Sequence, residues 1–121
     1  MDKQAIYNQV RDHLLKQGEQ SRQPARPSTF GPVEGVCAYR GEGGKMCAVG
    51  CLIKDEFYSP ELENKTCDTP QVAEVLGKSG IPTDWKTIDF LRDLQEIHDS
   101  DLVDGWESKL HELATQNGLT T

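Results

Sequence analysis

The chain has 121 residues, which fits one domain built on one modest core. Lys and Arg number 13 against 20 for Asp and Glu, a formal net charge of -7 with a pI near 4.9. A field of that sign disfavours direct binding to nucleic acid or to an anionic membrane, because neutralising phosphates takes clustered cations. It suits docking on a basic partner surface, including one that ordinarily holds nucleic acid. No apolar run has the length of a signal core or a membrane-spanning helix, so the expected location is the cytosol, with the four cysteines reduced.

Residues 2–17 read as a helix. Ile6, Val10 and Leu14 recur at helical spacing, and Gly18 suits a left-handed C-terminal position. Residues 18–35 follow as a long Pro/Ser/Gly-rich loop, with Pro24, Pro27 and Pro32 breaking any regular element and Arg22, Arg26 and Phe30 as its chemically notable side chains. Val36 to Ile53, VCAYRGEGGKMCAVGCLI, has β-compatible residues on both sides of a glycine-rich break, which predicts a β-hairpin at the centre of the fold. Its tip would be a two-residue loop at Glu42-Gly43 or a three-residue loop that includes Gly44. Gly50, inside the second strand, marks either a bulge or a close backbone approach.

An acidic, turn-prone stretch follows, with Phe57, Tyr58 and Leu62 as anchors. Thr69-Pro70 opens a helix with Val72, Val75 and Leu76 on its apolar stripe and Gly77 or Gly80 at its end. A longer helix over about 84–98 places Trp85, Ile88, Leu91, Leu94 and Ile97 on one side. The last helix runs from about Asp104 to Asn117, with Asp104 and Glu107 at capping-box spacing, Trp106, Leu110 and Leu113 as its stripe, and Gly118-Leu119 as its stop. The predicted class is therefore a single α+β domain, a central hairpin or small antiparallel sheet packed by about four helices.

Four constellations could carry chemistry. Cys37, Cys47, Cys51 and Cys67 could form a zinc site, but no CxxC knuckle is present, and Cys47 and Cys51 in one strand would stand roughly 13 Å apart. The preferred reading is four buried thiols, with no metal or cofactor. The glycine-rich tip lacks phosphate-loop spacing, so only a signalling-nucleotide pocket using Tyr39, Arg40 and Lys45 remains as an alternative for it. His98 adjoins Asp99, which with a distant cysteine could describe a thiol nucleophile and its base; a hydrogen-bonded structural histidine is the preferred reading, and no enzyme is expected. Convergence of Cys, His and Asp in a deep cavity would overturn that preference. Finally, Asp89, Asp93 and Glu96 lie opposite the stripe of their helix, with Asp99 and Asp101 beyond it, forming a negative face able to compete for a basic groove.

The string Cys37-Ala38-Tyr39-Arg40-Gly41, followed by Cys47-Ala48-Val49-Gly50-Cys51-Leu52-Ile53 and Asp55-Glu56, resembles small uncharacterised proteins of tailed bacteriophages and prophages. Leu94-Gln95, His98-Asp99, Trp106 and Gly118-Leu119 are similar to the same group. The resemblance assigns no catalytic residue. It implies a bacterial host cell, and for a small acidic phage protein it implies binding to host machinery, as anti-defence inhibitors such as anti-CRISPR proteins do. The expected activity is steric or electrostatic blocking of a host protein by Asp89, Asp93, Glu96, Asp99, Asp101, Arg22, Arg26 and Phe30.

Overall fold

The computed structural model describes residues 1–24, 29, 37–100 and 102–121; Arg26, Phe30 and Asp101 lie outside these. Four α-helices carry the core: α1 (Lys3–Gln17), α2 (Pro70–Lys78), α3 (Trp85–Ser100) and α4 (Trp106–Gln116). Local signals start and stop them. The Asp2 carboxylate accepts the Ala5 N–H at 2.8 Å and caps α1, and Gly18, at φ 65°, ends it by donating its N–H to the Leu14 carbonyl. Asp84 accepts from both the Thr87 N–H and the Thr87 hydroxyl ahead of α3. After α4 the Leu119 N–H returns to the Ala114 carbonyl at 2.8 Å, the stop expected at Gly118-Leu119.

Two expectations fail at helix ends. Trp85 is 71% exposed, with the Lys86 ammonium over its ring, so the buried stripe of α3 begins at Thr87-Ile88. Asp104 does not cap α4, because Val103–Gly105 form a 3-10 turn that makes Gly105 the cap residue. The helices otherwise pack as their stripes dictate, α3 on α4 and α1 on both. Ile6, Val10, Leu14, Leu91, Leu94, Trp106 and Leu110 are essentially inaccessible, and each such side chain contributes about 1.5–3 kcal/mol by leaving water.

The α+β class with its hairpin is wrong. Among the described residues there is no strand, only two isolated antiparallel bridges, Arg22 with Cys37 and Arg40 with Met46. The glycine tip is neither of the two loops expected: Gly41 to Lys45 form a five-residue turn, with Gly43 and Gly44 at positive φ and the Gly41 N–H on the Lys45 carbonyl. Beyond it the chain coils. The Cys51 N–H bonds the Cys47 carbonyl, Leu52 bonds Val49 and Ile53 bonds Gly50, so Gly50–Leu52 are a 3-10 turn.

Side chains from elsewhere take the hydrogen bonds a ladder would have used. Glu63 accepts the N–H groups of Tyr39 and Arg40, Gln17 that of Met46 and Gln95 that of Val49. Apolar residues on both sides of this segment thus reflect burial within a turn-rich coil. The close approach expected at Gly50 is present, since a Cβ there would overlap the Tyr39 carbonyl.

Candidate functional site

A groove of about 940 Å³ runs between α3 and the segment from Cys37 to Cys67. The exposed edge of α3 supplies Asp89, Asp93, Glu96 and Asp99 to it, and Arg92 with them. The opposite wall carries Arg22, Cys37, Ala38, Tyr39, Cys47, Glu63, Lys65 and Cys67. Helical spacing accounts for the first wall, because the buried stripe Ile88, Leu91, Leu94 and Ile97 turns the acids outward. The second wall is irregular chain, placed by the Glu63, Gln95 and Ser21 bonds.

Five of the side chains expected to act in binding line this one groove: Asp89, Asp93, Glu96, Asp99 and Arg22. Of the nucleotide alternative only Tyr39 does, and its hydroxyl donates to the Lys65 carbonyl. Arg40 is committed elsewhere, paired with Asp55 at 2.8 Å, bonded to the Ile53 carbonyl and laid over the Tyr58 ring. Lys45 pairs with Glu19 at 2.9 Å. Neither Arg40 nor Lys45 lines the groove.

Only two of the four thiols are fully buried, Cys47 and Cys67, while Cys37 and Cys51 are half-buried. Burial pushes Cys47 far up, Cys51 up to about 12 and Cys67 up to about 11. Among the described residues no three of the four cysteines come within ligand reach of one another. What does converge is Cys37, His98 and Asp99, whose ligand atoms lie within 4.8 Å. Sequence adjacency suggested only the His98–Asp99 half of this, and Cys37 arrives through the Arg22 bridge.

Hydrogen-bond polarity decides what this trio can do. The fully buried His98 ring accepts the Ser21 main-chain N–H at Nε2, 2.9 Å away, so its proton sits on Nδ1 and is donated to Asp99 at 2.7 Å. Gln95 also donates to Asp99, at 2.7 Å, and the Cys37 thiol donates to it as well. Burial works to raise the Asp99 pKa, but the bonds from His98, Gln95 and Cys37 outweigh it and hold the carboxyl below its ordinary value.

The one lone pair of His98 is therefore already spent on Ser21. As built, the ring neither takes a proton from Cys37 nor offers a nitrogen to a metal, and the convergence is a hydrogen-bond cluster centred on a carboxylate. It ties three segments together, because Ser21 also donates its hydroxyl to the Ala38 carbonyl at 2.7 Å and accepts the Ala38 N–H at 3.0 Å. The Trp106 ring stacks on His98 with centroids 5.6 Å apart, which fixes its plane from the α4 side. No spacing rule could have paired Ser21 with His98, since a main-chain amide leaves no trace in residue type.

Compared with family models, curated proteins and solved structures, the chain matches none. Among the described residues no helix is long and apolar enough to cross a membrane.

Proposed function

We propose that this is a non-enzymatic binding protein whose acidic groove edge docks on a basic surface of a protein partner and blocks it. The observation that carries the reading is the alignment of Asp89, Asp93, Glu96 and Asp99 along one edge of one groove. Four carboxylates on a chain of net charge -7 steer toward a cationic surface and repel a phosphate backbone. The committed lone pair of His98 leaves the adjoining Cys37 without a base, and burial raises the thiols of Cys47, Cys51 and Cys67, which favours binding over catalysis. The resemblance to phage proteins makes the candidate partner a bacterial host protein, one that holds nucleic acid on the surface being covered, and the activity anti-defence inhibition in the host cytoplasm.

The test is capture from bacterial lysate by the tagged chain, beside a variant carrying Asp89→Asn, Asp93→Asn and Glu96→Gln. A specific partner should be retained by the parent, released by salt and lost by the variant. Equal capture by both chains would end the acidic-groove reading.

A further inference from the structure

The two ring nitrogens of His98 make bonds of opposite polarity. Nδ1–H donates to an anion, Asp99, while Nε2 accepts from a main-chain amide, Ser21. A second ring proton affects these two bonds in opposite ways. It strengthens the bond to Asp99, now an ion pair, and it sets an Nε2–H directly against the Ser21 N–H. The step is a simple protonation: a solvent proton takes the Nε2 lone pair, and the Ser21 amide loses its acceptor.

Ser21 is fully buried, so its amide finds a new partner only if the chain there moves. Among the described residues, the groups around the ring come from several elements. Asp99 lies beside it on α3, with the Cys37 thiol donating to that carboxylate; α4 presents Trp106, which does not titrate; and the preceding segment presents the Gln20 amide, bonded to the His98 carbonyl, with Arg22 held by Gln20.

We propose that His98 is an acid-released latch: protonation expels the Ser21 amide and loosens residues 20–22, and with them the Cys37 wall of the groove, which then stay on α3 through the Gln20 bond to the His98 carbonyl and the Cys37 bond to Asp99. The wall follows because residue 21 is bonded to Ala38 through both its main chain and its hydroxyl, and Arg22 is bridged to Cys37. The body of the molecule is not held by this bond, so the helices remain. Asp99, held below the ordinary carboxylate range by its hydrogen bonds, does not titrate in the same window. This inference stands apart from the partner reading and needs no ligand.

The experiment is nitrogen-15 NMR of the full chain from about pH 7.5 to about pH 5, the range in which histidines change charge. It follows the His98 ring nitrogens and the exchange protection of the Ser21 amide. On protonation of the ring, Ser21 protection should fall about tenfold or more while helical circular dichroism holds. His98→Gln, whose amide oxygen accepts the Ser21 N–H without titrating, should keep that protection at every pH. Asp99→Asn, which removes the anion, should move the release to lower pH and keeps the test open if the glutamine variant does not fold. The proposal is overturned if the ring protonates with Ser21 unchanged, if the ring stays neutral to pH 5, or if the segment loosens equally in His98→Gln.

Discussion

The helical body and the segment from Cys37 to Cys67 satisfy their backbones in different ways. In α1, α3 and α4 each turn bonds the next, and side chains such as Asp2 and Asp84 satisfy the first turns. In the segment the main chain relies on its own Glu63 and borrows Gln17, Gln95 and Ser21 for bonds that no regular repeat supplies. The body is therefore stabilised by area and the segment by specific acceptors. A substitution that removes apolar area should hurt the first, and one that removes a single oxygen should hurt the second.

The largest effect is expected in the body. Trp106→Ala, emptying the fully buried ring site beneath His98, should lower stability by about 3–5 kcal/mol in urea unfolding. Next comes the segment's tightest contact. Gly50→Ala places a methyl against the Tyr39 carbonyl and should cost about 1–3 kcal/mol, while Gly105→Ala, with open space around it and φ at -92°, should cost nothing measurable. If both glycines tolerate alanine equally, the segment is looser than its contacts imply.

Glu63→Ala strands two main-chain N–H groups and the Tyr58 hydroxyl, and should cost about 1–3 kcal/mol without changing helical content.

The acid limb of stability sharpens the contrast further. The folded pKa of Asp99 lies below its unfolded value, so its contribution is present in full above the ordinary carboxylate range and is lost as pH falls through the folded value. The stability difference between the parent and Asp99→Asn should shrink below about pH 4, as the carboxylate takes up its proton, read from urea midpoints at each pH. The smallest effect belongs to the groove edge: neutralising Asp89, Asp93 or Glu96 should change stability by less than about 0.5 kcal/mol each, since all three are solvent-facing.

The helices were legible because their information is local: a period of apolar residues, a capping Asp2, a glycine at φ 65°. The same local reading misjudged Val36 to Ile53, whose bonds go to residues 17, 21, 63 and 95 and leave no periodic mark. Alternation of small and branched apolar residues predicts a strand only where another strand is available to pair with it. The acidic edge was visible as helix spacing, but the groove it borders was not, because its other wall is that misread segment. Likewise, adjacency in the chain marks His98 and Asp99 as neighbours, while the Ser21 amide that fixes the tautomer leaves no mark in the sequence.

The borrowed bond partners also bear on the order of assembly. Gln17 rides on α1 and Gln95 on α3, so the segment between them has no complete set of acceptors until those two helices have docked. It should consolidate last during refolding and open first under native conditions, as a unit smaller than the whole. Cys47 and Cys67, 1% and 3% exposed, then serve as internal clocks: their labelling rate by a thiol reagent should report that partial opening well before the helices melt.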